Sequence, residues 1–228
     1  MKKLPIIALV LLLTAFFIST VSAQGIVAKG LKAGLNMANF SGDDVEDSKM
    51  KMGMVIGGFI TYSVNEQLSL QPEIYYAMKG AKIDEEYSET DTDYRYSETT
   101  EGTVSLNYLE IPVLGVFSLN ENLKLLAGPY MEIYLSGKSE YDSEYTSEYY
   151  DYWEDRWVTE SGSESGSEDI ESDDMTSPGF GLIVGAEYST GQISIGARYS
   201  MGLSNIFDYE DADVKHQVIQ ILVGFTLQ

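Results

Sequence analysis

The sequence contains no cysteine among its 228 residues. This absence excludes disulfide bridges, thiolate metal sites and a lipid-modified N-terminal cysteine. Histidine occurs once, as His216, and no recognisable nucleophile motif accompanies it. Because nucleophilic and acid–base catalysis need a base held by a partner side chain, the sequence predicts that the protein is not an enzyme and carries no cofactor.

Basic residues are also few. Fourteen Lys and Arg stand against 36 Asp and Glu, which gives a formal net charge of −22. This balance excludes nucleic acid as a partner, because its phosphates need basic side chains. Beyond residue 23 there is no apolar run of the ~20 residues that a membrane-spanning helix needs, so a helical membrane protein is excluded.

The one long apolar run lies at the N-terminus. Residues 1–3 carry positive charge, residues 4–18 are almost entirely apolar, and residues 21–23 are small. This pattern predicts a signal peptide over residues 1–23, followed by a mature domain over 24–228. A membrane anchor is the weaker interpretation, because the run is too short to span a bilayer.

Acidic residues concentrate in four segments, 39–52, 83–102, 138–177 and 204–216, which hold 30 of the 36. Between them, apolar residues alternate with small or polar ones, as in strands with two different faces. The alternation predicts eight strands, at residues 29–37, 54–64, 68–79, 104–119, 123–136, 180–188, 193–203 and 218–227.

Short turns at 65–67, 120–122 and 189–192 alternate along the chain with the long acidic segments. An even number of strands of about ten residues, joined by short turns and long loops in alternation, is typical of outer-membrane barrels. The sequence therefore predicts an all-β fold, an eight-stranded antiparallel up-and-down transmembrane β-barrel with its acidic loops outside.

The direction of the alternation favours a membrane barrel over a soluble one. In the predicted strands at 123–136 and 193–203, one face is apolar and the other is rich in glycine and polar residues. A glycine-rich face suits a crowded interior, so the apolar faces are expected to point outward to lipid. The strand at 104–119 is apolar on both faces, which we attribute to a bulge at Pro112.

Five short motifs occur in order along the chain, at residues 30–36, 70–76, 108–112, 127–130 and 196–206. Together they resemble the outer-membrane β-barrel domain family of Bacteroidota, whose members are described as porin-family or PorT-like proteins. The resemblance covers all eight predicted strands. It implies an integral outer-membrane barrel in contact with outer-membrane lipid, in a family whose members mostly have no assigned activity.

Charged residues on the inward faces form a predicted polar cluster in the lumen. Its members are four acids and four bases: Glu73, Glu110, Glu132, Glu187, Lys32, Lys79, Lys124 and Arg198. Arg198 is expected to pair with Glu73 or Glu110, since its planar fork suits carboxylates. The favoured interpretation is a polar plug that satisfies buried charge; the alternative is a charged constriction or proton path.

The longest acidic segment repeats Ser-Glu-Tyr every four residues, which places Tyr141, Tyr145 and Tyr149 on one side of an extended strand. With Trp153 and Trp157, they predict a tyrosine-rich hairpin tipped by the flexible residues 162–168. These five aromatic residues are the candidates for a recognition surface, and a solvated acidic loop is the plainer interpretation. A second candidate site is a calcium site formed by Asp169, Glu171, Asp173 and Asp174, but these residues lack the register of a calcium loop.

The leading functional hypothesis is a membrane-embedded structural or surface-interaction protein. Its anionic, tyrosine-rich loops would meet an extracellular or envelope protein partner. Three alternatives stay open: a narrow porin-like transporter of small solutes, an enzyme at the loop rim using His216, and a soluble periplasmic barrel that binds a hydrophobic ligand.

Overall fold

The computed structural model describes residues 25–42, 45, 48–209 and 213–227. The predicted signal peptide lies outside these residues, as do parts of the acidic segments at 39–52 and 204–216. Within the described residues, no helix has the length and apolar character needed to cross a membrane.

Nine strands and one short 3-10 helix, Ser172–Asp174, make up the described chain. The strands are β1 (Ile26–Ser41), β2 (Ser48–Ser63), β3 (Leu68–Thr90), β4 (Tyr94–Ser118), β5 (Leu123–Asp151), β6 (Arg156–Ile170), β7 (Gly179–Thr190), β8 (Ile193–Gly202) and β9 (Lys215–Leu227).

Eight of these strands close into a ring of antiparallel neighbours. The order runs from β4 through β3, β2, β1, β9, β8 and β7 to β5, and β5 pairs with β4 again. The predicted eight-stranded up-and-down barrel is therefore confirmed. Two of its short turns are built alike: the side-chain oxygens of Asn65 and Asn120 each accept two backbone N–H bonds, as asparagine turns do.

The acidic segments at 83–102 and 138–177 were predicted to be loops, with a tyrosine-rich hairpin extending from the second. The hairpin is present, but the prediction of loops is wrong for most of both segments. Strands β3, β4 and β5 continue through them far past the barrel, and β6 is a ninth strand within the second segment. The predicted flexible tip at 162–168 is part of β6; the hairpin turns instead at residues 152–155. Unbroken backbone pairing from Asp151↔Arg156 to Gly137↔Ile170 holds this hairpin extended.

The outer wall of the barrel is apolar, as the alternation predicted. Leu31 on β1, Ile56 on β2, Val184 on β7 and Ile195 on β8 are all more than half exposed. In β4, Leu106, Tyr108, Leu114 and Val116 point inward and are buried. The pairing of β4 with β5 shifts register between Asn107 and Tyr108, so the bulge does not lie at Pro112 as expected.

Candidate functional site: a sealed lumen and a tyrosine-faced extension

The centre of the lumen holds a first ion-pair network around Glu73. Arg198 binds both oxygens of this carboxylate, at 2.5 and 2.9 Å. Lys32 lies 3.3 Å from Glu73 and 2.5 Å from Glu187. Gln71 donates a further bond to Glu73 at 2.7 Å. Two cations thus face two carboxylates, all of them buried, and the charges of the network balance.

A second network has one carboxylate too many. The ammonium of Lys79 contacts Glu110 and lies 2.7 Å from Glu132. The same ammonium stands over the rings of Tyr130 and Tyr108, 4.8 and 5.7 Å from their centres. Because this network carries two acids and one base, the buried charge is not balanced by the side chains alone.

Seven of the eight residues of the predicted lumen cluster lie in these two networks. Lys124 shares the inward face of β5 but sits at the periplasmic end, half-buried, where it makes no ion pair with any described residue. The structure brings Arg198 to Glu73 rather than to Glu110. The sequence analysis missed Gln71 and Thr61, which extend the first network by a 2.8 Å hydrogen bond.

Buried apolar clusters lie on both sides of the networks in the lumen. Toward the periplasm, Leu114, Val116, Leu126, Tyr130 and Ile183 form one buried cluster. At the extracellular mouth, chain segments between the strands fold inward, so that Met175, Ile206 and Val214 pack onto Phe40 and Tyr134. Backbone bonds join these segments, from Thr176 to Ile206 and from Ile206 to Val214. The lumen is a packed interior, as expected for eight strands.

His216 lies inside this upper layer and not at the rim. Its ring packs edge-on against Tyr108 and tilted against Phe40, with ring centres 5.2 and 5.8 Å apart. Neither ring nitrogen has a hydrogen-bond partner among the described residues. A general base needs a partner that orients it and access to substrate, so this arrangement does not support the rim-enzyme alternative.

We expect the mouth layer to contribute measurably to stability. Replacing Met175, which is 4% exposed, with alanine should cost about 2 kcal/mol, because it leaves a cavity under the inward-folded segments. Urea unfolding of the protein in detergent, followed by circular dichroism, measures the loss. Met54→Ala on the lipid-facing wall is the control and should change stability much less. Equal effects of the two substitutions would contradict the packed mouth.

Beyond the barrel, four strands form a sheet that we call the extension: residues 82–90 of β3, 94–104 of β4, 139–151 of β5 and all of β6. Residues directly opposite each other on paired strands share a face. Tyr145 lies opposite both Glu98 and Gly162, and Tyr87 lies opposite Glu98. One face, continuous with the lumen side, therefore collects six tyrosines: Tyr87, Tyr94, Tyr96, Tyr141, Tyr145 and Tyr149. We call it the tyrosine face.

The tyrosine rings lie along the sheet rather than standing clear of it. Tyr96 stacks on Tyr145 with ring centres 6.3 Å apart. The ring of Tyr145 covers Gly162, where a Cβ atom would come within 2.5 Å of the hydroxyl, and Tyr141 covers Gly166 in the same way. The glycines of β6 thus provide the space that the rings occupy, and aromatic side chains cover several strands of this face.

Glu98 sits among these rings as a hydrogen-bonded carboxylate. Ser143 and Tyr96 donate to its two oxygens at 2.6 and 2.9 Å. These hydrogen bonds favour the charged form and lower the pKa of Glu98 below its usual value. The tyrosine face therefore presents fixed negative charge beside aromatic rings.

The two candidate tryptophans do not belong to the tyrosine face. Trp153 is at the hairpin tip and is 98% exposed. Trp157 lies on the opposite face, where the Arg95 guanidinium stands 4.8 Å over its ring. Sequence reasoning missed the tyrosines of the neighbouring hairpin, although the two-residue spacing of Tyr94 and Tyr96 was a usable signal. In the part of the chain that the structure describes, no three potential metal ligands come together.

Comparison with protein families matches residues 22–208 to the outer membrane protein beta-barrel domain. No curated protein matches the chain. Among solved structures, the chain is similar to Ail, the attachment invasion locus protein of Yersinia pestis, in complex with the heparin analogue sucrose octasulfate. The two sequences are 14% identical, the alignment covers 88% of this chain and 98% of that one, and the TM-score is 0.43. Neisserial surface protein A aligns at 13% identity, over 90% and 100% of the two chains, with a TM-score of 0.39.

The family match covers most of the chain and agrees with the closed ring of strands and the apolar outer wall. Such a barrel resides in the outer membrane with its apolar wall in lipid. The chain belongs to the outer membrane protein beta-barrel domain family.

Proposed function

We propose that this protein is a non-conducting, non-enzymatic outer-membrane anchor whose extension is an interaction surface outside the cell. One observation carries the proposal: the lumen is filled by paired charges between two apolar layers, while four strands continue beyond it with aromatic and acidic side chains exposed. The barrel then serves as the anchor, and the extension offers the surface.

The proposal includes the finer points that the sequence suggested. The chain is exported by a cleavable signal peptide over residues 1–23, and it belongs with the porin-family or PorT-like barrels of Bacteroidota. Its partner is an extracellular or envelope protein that meets the extension. Tyrosine and tryptophan side chains are common anchors at protein interfaces, which supports this choice.

Shortening the hairpin tests the proposal. Residues 140–167 would be replaced by Asn-Gly, which suits a two-residue turn between the opposed pair Ser139 and Glu168. This removes nine acidic residues and one arginine but keeps Met175 and the mouth layer. We expect the shortened barrel to insert into the membrane and still to migrate differently on gels before and after boiling. The reason is that the removed residues contribute nothing to the lipid-facing wall of the barrel.

Two measurements then compare the parent with the shortened barrel. In planar bilayers, neither protein should conduct ions. Conductance by the parent would favour the transporter alternative. Conductance by the shortened barrel alone would indicate that the extension plugs the barrel. On immobilised polylysine, the parent in nanodiscs should bind at least about tenfold more tightly, and salt should weaken its binding, since exposed charges are screened over about 8 Å. Equal binding by the two proteins would refute the interaction role.

A further inference from the structure

The outer edge of β6 is a long strand edge without a partner strand in the described part of the chain. β6 runs for 15 residues and pairs only with β5. The opposite edge of the extension, residues 84–90 of β3, is about half as long. An unpaired edge presents backbone donors and acceptors in a row and is a template for another strand. The extension therefore ends in a surface on which an extended segment can pair.

The backbone pattern shows which residues of β6 point to that edge. The N–H of Tyr150 on β5 bonds to the carbonyl of Asp93, the residue before β4. Alternate residues of β5, including Tyr149, therefore direct their backbone groups to β6. Val158, opposite Tyr149, points back to β5. The intervening residues of β6 then present N–H and C=O groups to the free edge: Trp157, Thr159, Ser161, Ser163, Ser165, Ser167 and Asp169.

The acidic side chains beside this edge determine which kind of strand can pair with it. On β6, Glu160, Glu164 and Glu168 all lie on the tyrosine face, and its only base, Arg156, is paired with Glu154. A second copy of β6 would bring like charges together across the new pair, which is unfavourable. A strand that carries lysine or arginine at alternate positions would instead place opposite charges beside these carboxylates.

The rings next to the edge favour the same occupant. Tyr141 and Tyr145 reach across from β5 over the glycines of β6, so their rings lie one strand away from the edge. A long basic side chain on an added strand can reach a ring face as well as a carboxylate. The sheet already holds one such contact on its other face, where Arg95 stands over Trp157.

We propose that the outer edge of β6 captures an extended polypeptide segment with alternating basic residues, which adds to the extension as a fifth strand. The basic side chains lie over the tyrosine face, and the small residues between them lie over the serine and threonine side chains of β6. This inference rests on the proposed function and names the partner's chemistry and the mode of binding: backbone pairing supplies affinity, and the alternating side chains supply specificity.

A synthetic strand tests the proposal with the full-length protein in nanodiscs. The probe is a labelled nine-residue peptide of alternating lysine and threonine, and binding is read by fluorescence anisotropy. Ser163→Pro removes an N–H that faces the edge and places the proline ring in the path of the incoming strand. Ser163→Ala keeps the N–H and is the matched control. We expect Ser163→Pro to weaken binding at least tenfold relative to Ser163→Ala.

Two further probes separate backbone pairing from simple charge attraction. Methylation of the backbone nitrogens at alternate residues of the same peptide keeps every charge but removes the N–H donors along one edge of the strand. When the methylated nitrogens are those that face β6, the peptide should bind at least tenfold more weakly. A glutamate–threonine peptide should not bind. Both tryptophans lie in the hairpin, so the fluorescence spectrum of Ser163→Pro reports whether the hairpin is still folded; if it is not, the N-methylated peptide decides the question.

The outcomes distinguish this inference from the function it rests on. In one outcome the shortened barrel no longer binds the peptide, but Ser163→Pro binds it as Ser163→Ala does, and the N-methylated peptide binds as the unmodified one does. The extension is then an interaction surface, but the edge is not where the peptide binds. If the shortened barrel binds the peptide as well as the parent does, the proposed function fails together with the edge. Triple replacement of Glu160, Glu164 and Glu168 by glutamine should reduce both the affinity and its salt dependence; unchanged values would refute the charge complementarity.

Discussion

Replacing Arg198 with methionine should destabilise the barrel by about 3–5 kcal/mol, the usual effect of removing one partner of a buried ion pair. In the parent, Arg198 and Lys32 balance Glu73 and Glu187. The variant leaves two buried carboxylates with one cation, and methionine cannot replace the two bonds that the guanidinium donates to Glu73. Urea unfolding in detergent, read by the gel mobility of unboiled samples, gives the change in free energy of unfolding.

A second substitution identifies the cause of that loss. Adding Glu73→Gln to Arg198→Met leaves Lys32 facing Glu187 alone, so charge balance returns and part of the stability should be recovered. Arg95→Met is the control, because Arg95 forms an exposed pair with Glu148 on the extension, and such pairs contribute little, below about 1 kcal/mol. If Arg198→Met is as stable as the parent, the charge network is not what holds the lumen together.

The barrel strands were predictable because the two faces of each strand lie in different environments. A strand between lipid and a crowded lumen must alternate in composition, so residues such as Ile195 and Arg198 on β8 reveal their faces from their spacing alone. The same alternation placed the charged side chains inward. It could not identify the partner of Arg198, because contacts across a barrel depend on the tilt and stagger of the strands.

The composition of the extension concealed β6 and the continuation of β3 and β4 as strands. Serine, glycine and glutamate in β6 are typical of a solvated loop, and no apolar face marked it as a strand. Its fold depends on the neighbour: Gly162 and Gly166 are placed where the rings of Tyr145 and Tyr141 need space. The four-residue spacing of Tyr141, Tyr145 and Tyr149 predicted a hairpin, and the side they share is the tyrosine face.

The mouth layer was missed for a different reason. Met175 lies inside the acidic segment at 138–177 and Ile206 inside the one at 204–216, and neither belongs to a predicted strand. Their burial depends on contacts between segments 30 residues apart in the sequence, such as the backbone bond from Thr176 to Ile206.

The second lumen network leads to a prediction in which two neighbouring substitutions differ strongly in their effect on stability. Lys79 is the only base that contacts Glu110 and Glu132 among the described residues, so Lys79→Met leaves two carboxylates buried without a cation. We expect a loss of about 3–5 kcal/mol. Glu110→Gln removes the surplus carboxylate and should stay within about 1 kcal/mol of the parent, because one ammonium then faces one carboxylate.

The same unfolding assay measures both variants and the double variant Lys79→Met/Glu110→Gln, which should recover part of the loss because a single buried charge then stays unpaired. Methionine is unbranched and no larger than Lys79, whose ammonium stands over the rings of Tyr108 and Tyr130, so a steric cause is excluded by design. If Glu110→Gln costs as much as Lys79→Met, both carboxylates are needed to hold the ammonium. The stability of the barrel would then require both carboxylates, and it would tolerate their excess charge only while Lys79 contacts Glu110 and Glu132 together.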